Sequence, residues 1–196
     1  MIRTVVAGLW LAMLCIPSMA ADCEDLDLES LLEASAIAPP GSIRFREERH
    51  SPLFKEPLVL NGTFEYIQAG VLRKVVDAPF QESYLVDAGV IKIESGGETR
   101  VLPARQTQLI ETFLSGIEAL LSGDSASLEH NFNHCLKGSL NEWTLELQPK
   151  SRRLAKYLQG MQVRGSNGTI ADFRVDLGEG EWQLVELIPL PPPRGD

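Results

Sequence analysis

The chain has 196 residues, 44% of them hydrophobic, and a formal net charge of −9. That length suits one domain with a substantial core. The acidic balance argues against nucleic acid and against anionic membrane surfaces as partners.

The first 20 residues read as a signal peptide. Arg3 precedes an uncharged apolar run from Val5 to Ile16, then Pro17 and Ser18-Met19-Ala20, with small residues at the −3 and −1 positions. Cleavage is expected after Ala20, with Ala21 as the alternative. The run is shorter than the roughly 20 residues a membrane-spanning helix needs. Cys15 follows Leu14 and Cys23 follows Asp22, so neither has the small preceding residue of a lipobox. The expectation is an exported, unanchored, periplasmic chain that becomes one unit more negative when Arg3 leaves with the leader. A single domain is expected over 22–188, followed by a Pro-rich tail at 189–196.

Asp22 to Ala38 reads as a short helix, with Leu28, Leu31 and Leu32 near helical spacing and Asp25 or Asp27 as cap. Pro39-Pro40-Gly41 stops it. Ser42–Arg49 is a predicted strand with Ile43 and Phe45 inward. After a loop bounded by Pro52 and Pro57, four strands follow between Leu58 and Glu94. Leu58, Leu60, Phe64 and Tyr66 alternate with Val59, Asn61, Thr63 and Glu65. Tyr84, Val86, Ile91 and Ile93 share one parity in the last two. A period of two makes one face apolar and leaves the other mostly wet. The short connections Gln68-Ala69-Gly70, Asp77-Ala78-Pro79 and Asp87-Ala88-Gly89 suit an antiparallel meander. Ser95-Gly96-Gly97 turns the chain into Thr99–Leu102.

After Pro103 the period changes. Leu109, Ile110, Phe113, Leu114, Ile117, Leu120 and Leu121 recur at three- and four-residue steps, which predicts an amphipathic helix. Gly123 ends it, and Asp124 caps a shorter helix through Glu129. Alternation resumes over Phe132–Lys137, Glu142–Gln148, Gln162–Arg164, Thr169–Leu177 and Trp182–Ile188. Ser151–Leu158 reads as a short helix or an irregular crossing. Asn167-Gly168 and Gly178-Glu179-Gly180 supply turns. The fold class is therefore α+β: one curled antiparallel sheet with two apolar helices against its concave face.

Several stretches together resemble a known family. They are Phe45-Arg46-Glu47-Glu48-Arg49, Leu60-Asn61-Gly62-Thr63-Phe64-Glu65-Tyr66, Gly70-Val71-Leu72-Arg73, Pro79 and Leu85-Val86-Asp87-Ala88-Gly89, with Trp143–Pro149 and Ile170–Trp182 as late hairpins. In order and spacing they are similar to the periplasmic outer-membrane lipoprotein carriers (LolA-like) and the related outer-membrane acceptor (LolB-like). The resemblance implies an unclosed half-barrel of about eleven strands with helices as a lid over an apolar cavity. It implies a monomeric carrier without cofactors. Its partners would be an acylated lipoprotein or lipid cargo, an inner-membrane exporter and an outer-membrane acceptor. Ala69-Gly70 stands where the best-known carriers have an Arg-Pro pair that helps latch the lid. In this the chain resembles a divergent group found beside genes for lipid-like pigments, so a lipid-linked pigment or glycolipid of aryl-polyene type is the alternative cargo.

Strand parity and the helix stripe nominate the cavity lining. It comprises Phe45, Phe64, Tyr66, Leu72, Tyr84, Val86, Ile91, Trp143 and Leu145 from the sheet, with Leu109, Phe113, Ile117 and Leu120 from the helix. The same stripe would also serve as plain core.

Other motifs have bland readings. Gly123-Asp124-Ser125 resembles the start of a GDS-type lipase motif, which makes an exported hydrolase using Ser125 the competing enzyme reading. A helix end followed by a helix cap explains the same three residues, and no Gly-x-Ser-x-Gly elbow or late Asp-x-x-His accompanies them. No enzyme activity and no catalytic residue are expected. His130, His134 and Cys135 could ligate a metal if they shared one helix face, but the strand expected from Phe132 would separate the two imidazoles, so no metal site is expected. A structural or chaperone-like envelope protein without a small ligand is the third class. Cys23 and Cys135 are the two cysteines left after processing, and a bridge between them is expected in an oxidising compartment. The alternative is a free Cys23 in disordered N-terminal residues.

Overall fold

The computed structural model describes residues 27–87, 90–102 and 116–189. Helix α1 runs Leu28–Ser35. Asp27 starts it, its carboxylate accepting from the backbone N–H groups of Glu29 and Ser30 at 3.3 and 3.2 Å. Two otherwise orphaned helix donors are thereby satisfied. Leu28, Leu31 and Leu32 are its buried stripe. The helix expected over Asp22–Ala38 is thus shorter at its C-terminal end, because the chain turns extended at Ala36 ahead of Pro39-Pro40. Its expected start, at Asp22, lies outside the described residues.

Eleven strands follow the alternation closely. They are β1 Gly41–His50, β2 Leu58–Gln68, β3 Val71–Ala78, β4 Glu82–Asp87, β5 Val90–Ser95, β6 Glu98–Leu102, β7 Phe132–Ser139, β8 Glu142–Pro149, β9 Gly160–Ser166, β10 Thr169–Gly178 and β11 Glu181–Ile188. They form one antiparallel sheet in the order β6-β5-β4-β3-β2-β1-β11-β10-β9-β8-β7. Consecutive strands make every neighbour pair except the central one, where β1 meets β11 with Phe45 opposite Leu187 and Glu47 opposite Val185. The outermost strands, β6 and β7, are not paired with each other, so the sheet is unclosed. Register shifts in β2 at Asn61/Gly62 and Tyr66/Gln68, and in β10 at Ile170/Asp172 and Asp176/Gly178, add local twist and bend the sheet.

Between β6 and β7 lies the helical insertion. Residues 116–122 form α2, and Ser125–Asn131 form α3. Gly123 joins them at φ +78°, in a place where a β-carbon would crowd the Leu32 carbonyl and Ala36. Asp124 caps α3, accepting from the Ser127 backbone N–H at 2.9 Å. The Ile37 N–H donates to the Leu121 carbonyl at 2.7 Å and ties the exit of α1 to α2. Among the described residues the expected two covering helices are three, because α1 joins the insertion. Their leucines merge with Phe45, Leu60, Phe64, Trp143, Leu145, Val163, Phe173 and Val185 into one buried cluster. At roughly 1.5–3 kcal/mol for each large apolar side chain removed from water, this layer of helix on sheet is the main source of stability. The crossing between β8 and β9 contains a 3-10 turn at Leu154–Lys156, which settles its irregular reading.

Candidate ligand-binding site

One face of the sheet carries the side chains that the parity argument grouped. In register across neighbouring strands, Ile43 faces Phe64, Phe64 faces Lys74, Lys74 faces Tyr84 and Tyr84 faces Ile93. A parallel row joins Tyr66, Leu72, Val86 and Ile91. On the other arm Leu136 faces Leu145, Leu145 faces Val163 and Val163 faces Phe173.

Of the nominated lining residues, Phe45, Phe64, Tyr66, Leu72, Ile91, Ile117, Leu120, Trp143 and Leu145 are buried. Tyr84 and Val86 are half-buried at the far arm. Leu109 and Phe113 lie outside the described residues. The Phe45 and Phe64 rings meet at 4.7 Å between centroids, and both belong to the cluster that includes Ile117 and Leu120 of α2. Gly165 lets the Trp143 ring lie directly on β9. The Trp143 indole N–H is buried and has no acceptor among the described residues.

The apolar parity is interrupted by charge, which the sequence reading did not foresee. Glu47 is wholly buried. Its carboxylate accepts from Arg49 Nε at 2.7 Å and from Lys74 Nζ. The Lys74 ammonium also sits 4.8 Å from the centroid of Phe45 and 5.6 Å from that of Phe64, within cation–π range. Burial pushes the Glu47 carboxyl upward, but Lys74 and Arg49 outweigh it and hold it below its ordinary range. Burial pushes the Lys74 ammonium down, and Glu47 only partly opposes the shift. Next in the row, burial and then the hydrogen bond to the Glu82 carboxylate push the Tyr84 phenol from 10.0 to about 12. Parity places Glu47 and Arg49 on the face of Phe45, and Lys74 on that of Leu72, but the β1–β2–β3 register is what brings them together.

Beside the cluster the face opens to solvent. A cleft of about 850 Å³ is lined by Val75, Val76, Phe80, Glu82 and Ser83 with the Gly96-Gly97 turn. A smaller one of about 240 Å³ is lined by Glu82, Tyr84, Ile93, Ser95, Glu98 and Arg100. At the opposite end of β2, the Gly70 backbone N–H donates to Glu118 Oε1 of α2 at 2.8 Å. The Ala69-Gly70 turn is thus bonded to a covering helix through a main-chain donor.

The competing motifs resolve locally. Ser125 opens α3 behind its cap Asp124. His130 is on α3 and His134 on β7, with Glu129 Oε1 at 3.9 Å from His134 Nε2. Among the described residues no three His, Cys, Asp or Glu side chains are grouped to hold a metal. Cys135, on β7, is disulfide-bonded. Cys23 lies outside the described residues.

The sequence of residues 20–184 matches the family described as outer membrane lipoprotein carrier protein LolA-like. The chain belongs to the LolA-like family. Solved structures with a similar course include LolA superfamily protein NE2245 from Nitrosomonas europaea, at 9% identity and TM-score 0.42, covering 85% of this chain and 96% of that one. LprF from Mycobacterium bovis is 13% identical at TM-score 0.35, covering 86% of this chain and 97% of that one. A chain of the Pseudomonas aeruginosa MucA/MucB complex is 11% identical at TM-score 0.44, covering 83% of this chain and 56% of that one. None of these three likenesses bears on function. Among curated proteins, none matches this chain in sequence. The LolA-like assignment agrees with the unclosed eleven-stranded sheet and its helical cover.

Proposed function

We propose that this LolA-like protein is a periplasmic carrier that holds the acyl chains of a lipoprotein or lipid-like cargo between the sheet and its helices, and takes the cargo towards the outer membrane. The observation that carries the reading is the single-layer helical cover on the apolar face of an unclosed sheet. A sheet closed on itself would fill that face with its own side chains. Here α1, α2 and α3 fill it, and separating them from the sheet would expose an apolar surface shaped for hydrocarbon. Each methylene moved from water to such a surface is worth about 0.8 kcal/mol, so acyl chains bind without covalent chemistry. Phe45, Phe64, Tyr66, Leu72 and Ile91 with Ile117 and Leu120 are the wall of that site.

A cargo with a polar head, such as a lipid-linked pigment or glycolipid, is favoured over a lipoprotein by the charged groups on this face. Tyr84 and its acceptor Glu82 line the smaller open cleft beside the buried Glu47–Lys74–Arg49 cluster, and they offer hydrogen bonds that acyl chains alone would not use.

Native mass spectrometry of the protein purified from a periplasmic extract tests the carrier reading. Retained lipid mass is the expected result, and an apolar fluorescent probe should compete with it. Phe64→Glu combined with Ile117→Glu should abolish probe binding. A folded double variant that binds the probe as the wild type does would refute the site. Esterase activity lost in Ser125→Ala, with stability kept, would instead favour the hydrolase.

A further inference from the structure

At one end of the sheet, the β8–β9 crossing differs in charge from the rest of the chain. That end carries the β1–β2 loop, the β3–β4 turn, the β10–β11 turn and the β8–β9 crossing. The β1–β2 loop, the β10–β11 turn and the crossing are successive neighbours. Ser51 Oγ donates to Glu181 Oε1 at 2.9 Å, a β-carbon on Gly180 would sit against Pro52, and the Gln159 N–H donates to the Asp176 carbonyl at 2.7 Å. At this end the β1–β2 loop exposes Leu53 at 87% and Phe54 at 56%, the crossing exposes Tyr157 at 58%, and the β3–β4 turn exposes Phe80 at 42%. Leucine and phenylalanine at a loop tip, uncovered to this degree, contribute nothing to the core.

The charge on the crossing that carries Tyr157 runs against the rest of the chain. Residues 147–171 hold Lys150, Arg152, Arg153, Lys156 and Arg164 and not one carboxylate, in a protein of net charge −9. The first four of these lie on the crossing, exposed beside Tyr157. Lys55 adjoins Phe54. Carboxylates are present at this end, among them Glu56, Asp77, Asp176 and Glu179, but on the neighbouring turns and strand ends rather than on the crossing.

We propose that this end of the sheet docks on an anionic phospholipid bilayer, with Leu53, Phe54 and Tyr157 entering the headgroup boundary and the 150–156 crossing facing lipid phosphates. Apolar tips beside cations are the combination that interfacial binding uses, with hydrophobic burial and surface potential adding. An acidic protein surface would satisfy the cations but would not need three protruding apolar tips. The whole-chain charge, which points away from membranes, is an average that conceals this end.

Flotation of the mature protein with vesicles tests the proposal, and it reads membrane contact rather than cargo. The protein should float with phosphatidylglycerol–phosphatidylcholine vesicles at low salt and stay behind with phosphatidylcholine alone. Each cation near an anionic surface contributes about 1 kcal/mol, or about fivefold in partitioning, so Arg152→Glu with Lys156→Glu should cut binding by more than tenfold. Leu53→Asp with Phe54→Asp should cut it comparably. Leu140→Asp, at the other end of the sheet, should leave it unchanged. Thermal unfolding midpoints report whether each variant folds, and the charge-reversal pair decides if the loop variant does not. No flotation of the wild type, equal flotation with both vesicles, or variants that lose an acidic protein partner while floating normally would each overturn the proposal. Probe binding that fails while flotation succeeds would instead count against the cargo site alone.

Discussion

The two arms of the sheet begin from the same alternation and end with different faces. On the arm β7–β11, the residues turned to the helices are Leu136, Leu145, Leu147, Val163, Phe173 and Val175, none more than 3% exposed. On the arm β1–β6, the corresponding rows run from Phe64 to Lys74 and Tyr84, and from Val76 to Glu82 and Ser95. One arm is sealed by packing. The other carries an ion-paired cluster and opens into clefts. Packed hydrocarbon tolerates little change in volume, whereas a polar, partly open wall can exchange partners with little loss of contact. In a carrier, the sealed arm would hold the fold and the open arm would accommodate the cargo.

The sharpest way to break that comparison is to remove one side chain from each arm. Phe173→Ala and Glu47→Ala should each cost about 3–5 kcal/mol of unfolding free energy, by cavity formation in the first and by an uncompensated buried ammonium in the second. They should differ in rescue. Replacing both Glu47 and Lys74 by Leu should restore most of the loss, because no buried charge remains unpaired and Arg49 is part exposed and can hydrate. If urea unfolding shows no rescue, the cluster is as tightly specified as the core. The pH dependence should differ too. The folded-state value of Glu47 is depressed, so its contribution is present above the ordinary carboxyl value of 4.5 and is lost as pH falls through the lower folded value. Glu47→Gln should flatten the acid limb of stability against pH, and Phe173→Ala should leave its shape alone.

A smaller effect concerns the edge of the sealed arm. Cys135 is disulfide-bonded on β7, and we propose Cys23 as its partner. A bridge closing a loop of about 110 residues is worth up to about 4.7 kcal/mol in the chain-entropy model, and commonly 2–4. Cys23→Ala and Cys135→Ala should lower stability equally, and the double variant by no more than either alone. Two free thiols in denatured, unreduced protein from the periplasm would rule the pairing out.

The smallest expected effect lies where the covering helices meet the open arm. Glu118→Ala removes the acceptor of the Gly70 N–H and should cost about 0.5–1.5 kcal/mol. If α2 lifts to admit cargo, the same variant should speed uptake of an apolar probe in stopped-flow measurements. An unchanged uptake rate would show that this contact does not hold the cover closed.

Much of this architecture was legible in the sequence because strand parity is a local property. The side-chain grouping of Phe64, Tyr66, Leu72, Tyr84, Val86 and Ile91 follows from alternation, and the register preserves it. The caps at Asp27 and Asp124 were readable for the same reason, since a carboxylate that bonds N–H groups two or three residues on needs no distant partner. Two features were not legible. The pairing of β1 with β11 depends on which edges meet across the whole chain, and parity says nothing of that. The burial of Glu47 was missed because a carboxylate between Arg46 and Glu48 reads as solvated surface. Its partner Lys74 is remote in sequence, and only the β1–β2–β3 arrangement brings the two together. The likeness to the LolA-like family supplied the half-barrel and its eleven strands, which alternation alone left as one curled sheet.

The β1–β11 seam has a consequence for how the molecule comes to exist. Every other strand pair is a hairpin or a short crossing that its own neighbourhood in the chain can form. The seam joins Arg46 to Glu186, 140 positions apart, and it divides the sheet into two separately contiguous arms. Contacts of such separation bear a large loop-closure entropy and form late. The two arms can therefore acquire their hairpins independently, but neither becomes part of the finished sheet until the last strand has been made. A nascent or partly exported chain lacking β11 would present β1 as a bare edge, with its backbone donors and acceptors unpaired. Completion is thus governed by the final residues of the domain.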